Sequence, residues 1–300
     1  YTNAKGRPRD GSFEYYVGEP IVDNDLKGIP AFILAGIELE QILGTKEAPF
    51  MARGWMDYEK VLARIKAPTF PNRDFPITDF GAKAGTDSSA AIAAAIAACH
   101  QAGGGRVVVP PGEWLTIAIT LKSNVNLHVS EGATLRWIYE PARYPIVYTR
   151  WEGTELMNVS PFIYAYEQEN IAITGKGTLD GGADWDNWWG WIRQKPKEGQ
   201  TQSPQRIARL KLLEMGENNT PVEQRVFGPD GFLRPNFVQP YKCRNILIED
   251  VTIIRSPMWE LHPVLSQNIT VRGVKINSHG PNNDGFDPES CRDILVENTV

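Results

Sequence analysis

Cysteine and long apolar runs are both scarce in this chain of 300 residues. The three cysteines, Cys99, Cys243 and Cys291, are too few and too far apart for a disulfide framework, so we expect a fold that does not depend on bridges. The longest apolar run, residues 29–43, is shorter than a membrane span and contains two glutamates. We therefore expect no transmembrane helix.

An excess of positive charge is missing as well. The chain has 31 Lys and Arg against 36 Asp and Glu, a formal net charge of −5. Proteins that bind nucleic acid generally carry clustered positive charge, so we expect no nucleic-acid partner. A locally basic cleft for an acidic ligand stays compatible with this composition, because net charge does not describe how the charges are distributed.

Motifs of metal and serine-hydrolase chemistry are also lacking. The four histidines have no metal-ligand spacing to one another or to cysteine, and no G-x-S-x-G segment is present. Residues 184–187, DWDN, begin like a calcium loop, but Lys195 stands where such a loop needs a bidentate glutamate. We expect no metal and no cofactor, which leaves carboxylate chemistry.

Repetition is what the chain does have. The segments CRNILIEDVTI (243–253), SQNITVRGVKI (266–276) and CRDILVENTV (291–300) share a small residue, then Asn or Asp two positions on, then Ile-x-Ile or Ile-x-Val. Fainter copies lie at 123–135 and 169–181. A period of roughly two dozen residues is typical of solenoids, in which each repeat buries its apolar face against its neighbours.

The apolar residues of these repeats alternate at period two and are largely β-branched, which indicates strands rather than helices. We therefore predict an all-β fold, a right-handed parallel β-helix, with Ile246 stacked on Ile269 and then on Ile294. Two further stacks are expected at the turns. They are a polar ladder of Asn245, Asn268 and Asp293, and a small-residue ladder of Cys243, Ser266 and Cys291.

The ends of such a solenoid need protection, because an exposed strand edge pairs with other chains. Residues 86–105 predict a capping helix rich in alanine, followed by a first strand at 106–112. Upstream, we predict an extension and linker over residues 1–74, with helical spacing at 31–43 and 57–65, and a β-helix over 75–300.

One long insertion, residues 183–232, interrupts the strand pattern. It contains four tryptophans within seven residues: Trp185, Trp188, Trp189 and Trp191. Long insertions in solenoids usually carry function. Two interpretations stay open, one in which these side chains pin the insertion to the body and one in which a tryptophan lines a ligand cleft.

Four features occur in one order along the chain: ITDFGAKAGTDSSAAIAAAI (77–96), GGGRVVVPPGEW (103–114), the Asn-Ile-x-Ile repeats and NNDGFDPES (282–290). As a set they resemble the polygalacturonases of glycoside hydrolase family 28, from about residue 75 to the end. In that family an N-T-D-G segment carries a catalytic aspartate. The resemblance implies that Asp284 is the catalytic carboxylate, with Asn283 standing where the family has threonine.

The resemblance also implies an inverting hydrolase of α-1,4-linked galacturonate chains. Inversion needs a second carboxyl group about 6.5–9.5 Å from the first. Since neighbouring coils are about 4.8 Å apart, we expect that group from the next coil, near position 305. That position lies past Val300, so we expect the natural protein to continue.

Other residues near this segment are candidates for substrate contact. Asn282 lies two positions before Asp284, so a strand would place both on one face. Asp287 is expected to serve the turn ladder. Arg234 suits bidentate recognition of a uronate carboxylate, and a structural ion pair is the alternative.

The segment SPMWELHPV (256–264) precedes Asp284 by about one coil. Trp259 is a candidate for stacking on a sugar ring and His262 for bonding a hydroxyl or carboxylate, with ordinary packing as the alternative for both. His279 is a further candidate contact.

We expect exo-action on polygalacturonate or its oligomers. The N-terminal extension and the insertion are long enough to close one end of a groove, and residues 256–264 and 280–290 resemble bacterial exo-acting members. An open groove with internal cleavage, a β-helix lyase acting by elimination, and a non-catalytic carbohydrate-binding solenoid are the alternatives. The expected partner is an acidic polysaccharide, homogalacturonan or pectin. The expected location is secreted or periplasmic, with any export signal absent from a chain that starts at Tyr1.

Overall fold

The structure is a computed structural model that describes residues 51–300, with side chains from residue 58 onward. Backbone contacts group residues 1–60 into one unit and Val61–Val300 into another. This division falls before the boundary predicted at residue 74, and the assignment of residues 1–74 as an extension and linker stays a prediction. The helix expected at 57–65 begins earlier, at Met51, whereas segment 31–43 lies outside the described residues.

The described residues contain three α-helices and seventeen strands. The helices are α1 (Met51–Arg64), α2 (Ser89–Gln101) and α3 (Pro204–Glu217). The strands are β1 (Asp74–Pro76), β2 (Gly105–Val109), β3 (Gly112–Thr116), β4 (Ile119–Thr120), β5 (Val125–Val129), β6 (Ala133–Trp137), β7 (Ile146–Trp151), β8 (Thr154–Val159), β9 (Ile163–Tyr166), β10 (Glu169–Thr174), β11 (Thr178–Asp180), β12 (Val238–Tyr241), β13 (Arg244–Glu249), β14 (Thr252–Ile254), β15 (Gln267–Arg272), β16 (Lys275–Asn277) and β17 (Arg292–Glu297). None of the described helices has the length and apolar character needed to cross a bilayer.

Three parallel sheets run along the molecule, and the chain visits them in turn. The first sheet has the order β1-β2-β5-β10-β13-β15-β17, the second β16-β14-β11-β6-β3 and the third β12-β9-β4. Single bridges extend the third sheet from Val238 to Leu261 and from Leu261 to Phe286. This is the predicted right-handed parallel β-helix.

The predicted stacks are present in register. Ile246 pairs with Ile269, and Ile269 pairs with Ile294, so the core repeats once per coil. The asparagines hydrogen-bond to one another through their carboxamides along the turns, and each has the left-handed φ that asparagine tolerates better than most residues. This ladder consists of Asn124, Asn170, Asn245 and Asn268. Asp293, the third member predicted, accepts hydrogen bonds from Arg64 instead.

The small-residue ladder is also confirmed. The backbone N–H of Cys243 donates to Ser266 Oγ at 3.0 Å, and that of Ser266 donates to Cys291 Sγ at 3.4 Å. Burial raises the pKa of the Cys243 thiol to about 11, so little thiolate is present at neutral pH. These cysteines are packing residues.

Helix α2 occupies the predicted capping position. Its buried face, which includes Ile92, Ile96 and Cys99, belongs to the same core cluster as strands β2 and β5. The chain leaves the helix through Gly103, whose φ of +85° is a conformation that glycine adopts without strain. The N-terminal end of the β-helix core is therefore covered by alanine and isoleucine side chains of α2.

Two additions cover the outer face of the third sheet, and the sequence repeats indicated only one of them. Strands β7 and β8 form an antiparallel hairpin that lies in the chain between β6 of the second sheet and β9 of the third. The repeat pattern did not reveal this hairpin. Helix α3 belongs to the predicted insertion and packs against β8. A separate apolar cluster joins the two additions; it comprises Trp151, Leu156, Ala208, Leu212, Leu233 and Met258.

Candidate active site

Asp284 lies at the end of a loop, residues 278–284, that connects β16 to the last coil of the third sheet; we call it the site loop. The Asp284 carbonyl accepts a hydrogen bond of 2.9 Å from the backbone N–H of Glu260 in the preceding coil. Phe286, two residues on, is packed against the core, which fixes the strand beneath the loop. Asp284 itself is exposed, so its carboxylate is accessible from outside the β-helix.

Asn283 anchors the site loop, which explains its presence where the family has threonine. Its Oδ1 accepts from Ser278 Oγ at 2.8 Å and from the Gly280 N–H at 2.6 Å. Its Nδ2 donates to the carbonyls of Ser256 and Met258 at 3.0 and 2.9 Å. A threonine hydroxyl has one donor and could not make all four bonds.

Arg234 holds the neighbouring part of the loop from below. Nη1 donates to the carbonyls of Pro257 and Pro281, and Nη2 donates to Asn282 Oδ1, each at 2.7 Å. The residue is 1% exposed, and burial lowers the pKa of its guanidinium to about 10. The two roles expected for Arg234 are therefore wrong: the guanidinium is not open to a substrate carboxylate, and no carboxylate of the described residues pairs with it.

Asn282 is exposed, as contact with substrate requires, but it does not lie on the strand face that was expected to place it with Asp284. It lies in a turn with a φ of +57° rather than on a strand, so strand alternation does not relate it to Asp284. Contact between Asn282 and a sugar stays a prediction.

His262 is fully buried, at 0% exposure, which contradicts the expected bond to a substrate hydroxyl or carboxylate. Its Nδ1 lies 2.6 Å from Asn236 Nδ2 and 2.9 Å from Gln239 Nε2. Since both amide nitrogens are donors, this nitrogen accepts and Nε2 carries the proton. Nε2 lies 3.1 Å from Glu289 Oε1. His262 thus organises the strands beneath the site.

Trp259 and His279 flank this region. The ring of Trp259 meets that of His262 edge-on, with centroids 4.9 Å apart, and packs against the apolar cluster under the hairpin. Packing therefore accounts for Trp259, although it is only half-buried and stacking on a sugar stays a prediction. His279 is exposed, with Nε2 2.7 Å from Asn277 Oδ1, and its contact with substrate also stays a prediction.

Carboxyl groups cluster near Asp284, and the sequence had singled out only part of this cluster. Burial, together with the charges of Asp284 and Glu289, raises the pKa of Asp287 to about 7. Asp287 follows the bridged residue Phe286, and its N–H donates to the Leu261 carbonyl, so it belongs to the third sheet rather than to the turn ladder as expected. For Glu289, burial is opposed by His262 and Arg150, which together leave its pKa lowered.

Glu260 is the least expected member of the cluster. It is 0% exposed, and neither carboxylate oxygen has a hydrogen-bond partner among the described residues. Burial raises its pKa to about 8, which the Ser278 and Ser256 hydroxyls offset only in part. Those hydroxyls donate to Asn283 Oδ1 and to the Met258 carbonyl instead. Its neighbours along the chain, in the segment WELHP, gave no indication that Glu260 is buried.

The four tryptophans of the insertion divide between the two interpretations. Trp188 and Trp191 are buried in the main core, so they pin the insertion to the body. Trp189 donates from Nε1 to the Ser256 carbonyl at 2.7 Å, and its indole lies where a side chain at Gly280 would be. Trp185 is 42% exposed. A ligand role for Trp185 stays a prediction.

Comparisons with known proteins bear on these features. No protein-family model matches the chain. It is 50% identical to the hyperthermoactive exopolygalacturonase from Thermotoga maritima, a solved structure, with a TM-score of 0.76 over 80% of this chain and 55% of that one. It is 27% identical to an exo-poly-alpha-D-galacturonosidase of Dickeya chrysanthemi, over 75% of this chain. It is also 27% identical to a probable polygalacturonase of Vitis vinifera, over 65% of this chain.

The chain spans only 39% and 34% of the lengths of these two curated relatives. The comparisons thus confirm the resemblance drawn from the motifs: this chain is similar to the polygalacturonases of glycoside hydrolase family 28, exo-acting ones among them, and has their right-handed parallel β-helix fold.

Proposed function

We propose that this chain contributes part of the catalytic site of an inverting glycoside hydrolase that cleaves α-1,4-galacturonosidic bonds in homogalacturonan or its oligomers. One observation carries the proposal: Asp284 is an exposed carboxylate at the end of the site loop, two residues before the third-sheet residue Phe286, in a chain 50% identical to an exopolygalacturonase. In this role Asp284 activates the attacking water, and a second carboxyl group protonates the leaving oxygen.

Exo-action is supported by the β7–β8 hairpin, which covers the third sheet in the coils that precede Asp284 in the chain. Gln239, in the coil before His262, is fully buried, and Thr149 of the hairpin donates a hydrogen bond to it. The hydroxyl of Tyr164, one coil earlier, donates to the carbonyl of Tyr148 in the same hairpin. A chain of sugars therefore has no path along the sheet past these coils. The contacts that support this come from the hairpin, residues 146–159, which was not expected from the sequence. Closure by the N-terminal extension and by the insertion stays a prediction.

The buried carboxyl groups suit an anionic substrate. At mildly acidic pH, Asp287 and Glu260 are protonated, since their pKa values are raised to about 7 and about 8. Only part of the acidic cluster is then charged, which reduces the repulsion of uronate groups beside Asp284. Activity is accordingly proposed to be greatest at acidic to near-neutral pH.

Product analysis on polygalacturonate tests both the reaction and its mode. Reducing ends that appear as galacturonic acid alone, with slow loss of viscosity, are expected. A ladder of oligomers with rapid loss of viscosity would contradict exo-action, and ultraviolet absorbance from unsaturated uronides would indicate elimination. Failure to release any reducing sugar would leave a carbohydrate-binding solenoid. A secreted or periplasmic location is proposed, because pectin lies outside the cell.

A further inference from the structure

A buried cation with no carboxylate in ion-pair contact is unusual, and Arg234 is one. The carboxylate whose charge acts on it, that of Glu152, is itself paired with Arg209. No carboxylate of the described residues lies within ion-pair distance of its guanidinium, and its Nε has no hydrogen-bond partner among them. Desolvating a charge is costly, so such residues are retained where they do something that an apolar side chain cannot. The question is what the Arg234 guanidinium holds.

Its donors reach two successive coils. Nη1 bridges the carbonyls of Pro257 and Pro281, which occupy equivalent loops one coil apart. A planar guanidinium presents several N–H groups in fixed directions, so these bonds set the spacing of the two loops. The second loop is the site loop, which ends three residues after Pro281 at Asp284.

The remaining donor orients Asn282. Because Nη2 donates to Asn282 Oδ1, the carboxamide cannot exchange its oxygen and nitrogen positions without losing a charge-assisted bond. Asn282 is exposed, and its Nδ2 is the carboxamide atom left free of the bond to Arg234. An N–H donor held outward beside Asp284 is suited to an oxygen of an anionic sugar.

The backbone of Arg234 is itself fixed by the hairpin. Trp151 Nε1 donates to the Arg234 carbonyl at 3.1 Å, and Asn158 Nδ2 donates to the Leu233 carbonyl at 2.9 Å. All of these groups are buried, so the bonds are shielded from competition with water. A continuous series of contacts joins strands β7 and β8 to the site loop.

We propose that Arg234 is a positioning residue that sets the site loop against the covered sheet and presents the Asn282 N–H to a substrate oxygen, most favourably a uronate carboxylate. This rests on the proposed function, since it concerns the same site. Arg234 itself does not touch the substrate.

A double-mutant cycle tests this in the full chain. Arg234→Gln and Asn282→Ala are each expected to raise KM for trigalacturonate about 10-fold or more, with a smaller change in kcat. If Arg234 acts through Asn282, the double variant is expected to be little worse than either single variant. Additive effects on KM would overturn the proposal. Arg255→Gln, which removes a cation from the ion pair with Asp180 on the second sheet, is the matched control and is expected to leave KM unchanged.

Amide hydrogen exchange gives a readout that does not need activity. Arg234→Gln is expected to accelerate exchange over residues 278–284, Arg234→Lys to do so less, and Arg255→Gln not at all. Unchanged amide exchange over residues 278–284 in both Arg234 variants would also overturn the proposal. This outcome can be read even if the wild-type protein releases no sugar. Reducing sugar released by wild type, together with additive KM effects, would leave the proposed function standing and the positioning role refuted.

Discussion

Arg150 on β7 donates a hydrogen bond of 3.0 Å from Nη1 to Glu289 Oε2, in the coil that carries Asp284. Glu289 Oε1 lies 3.1 Å from His262 Nε2, so one carboxylate joins the hairpin to two coils of the third sheet. Both partners of the Arg150–Glu289 pair are largely buried, at 14% and 19% side-chain exposure. The pair therefore differs from the exposed ion pairs of the first sheet.

Removing Arg150 is expected to loosen the hairpin. Arg150→Ala leaves Glu289 buried with one partner fewer, and we expect a loss of about 1–3 kcal/mol in the free energy of unfolding, measured by urea denaturation. Arg244→Ala is the control, because its pair with Glu169 is exposed and is expected to contribute about 0–1 kcal/mol. Equal losses in the two variants would show that the Arg150–Glu289 contact has no special role.

Asp284→Asn is expected to lower turnover of polygalacturonate by several orders of magnitude, because an amide cannot activate water. The fold and the binding of oligogalacturonates are expected to persist, as judged by circular dichroism and calorimetric titration. Asp186→Asn removes an exposed carboxylate from the insertion and is expected to leave turnover unchanged. An Asp284→Asn variant that keeps more than about a tenth of wild-type turnover would remove Asp284 from the catalytic role.

The pH dependence of kcat/KM is expected to reflect Asp287. Because the pKa of this buried carboxyl is raised to about 7, it is neutral below that pH and becomes charged above it. A second charge beside Asp284 repels the uronate substrate, so kcat/KM is expected to fall as pH rises through about 7. Asp287→Asn is expected to move this alkaline limb to higher pH. An unchanged limb would assign the titration to another group.

Glu260 is expected to control how stability varies with pH. Its pKa is about 8 in the folded chain and 4.5 in the reference state, so the folded protein holds a proton that the unfolded chain releases between these values. The free energy of unfolding therefore decreases as pH rises through this window, by up to about 1.4 kcal/mol per unit of pKa difference.

Glu260→Gln removes this dependence, because the amide does not titrate. Relative to wild type, the variant is expected to gain stability progressively from pH 4.5 to 8 and to keep a constant advantage above it. Urea denaturation at several pH values measures the difference. A difference that does not change across the window would show that Glu260 is not held neutral in the folded protein.

The solenoid and the register of its coils follow from the sequence alone. Ile246, Ile269 and Ile294 recur once per coil, and Asn245 and Asn268 mark the left-handed turns, so period and residue type were enough. The segment around Asp284 was also visible in the sequence, since polar residues interrupted an otherwise apolar repeat. Such features are local or periodic, and each is set by a few neighbouring residues.

The surroundings of Asp284, by contrast, are evident only in the folded chain. The bonds from Arg234 to Pro257, Pro281 and Asn282 join positions 23 to 48 residues apart. The contacts of the hairpin with Gln239 and Glu289 join positions 90 and 139 residues apart. Whether an arginine or a histidine faces the substrate or the interior depends on which non-repeating segment covers it. The repeat pattern does not predict that covering. The physical reason is that the coil pattern follows from backbone pairing repeated at a fixed period, whereas the site depends on desolvation by non-repeating elements that meet only in the folded chain.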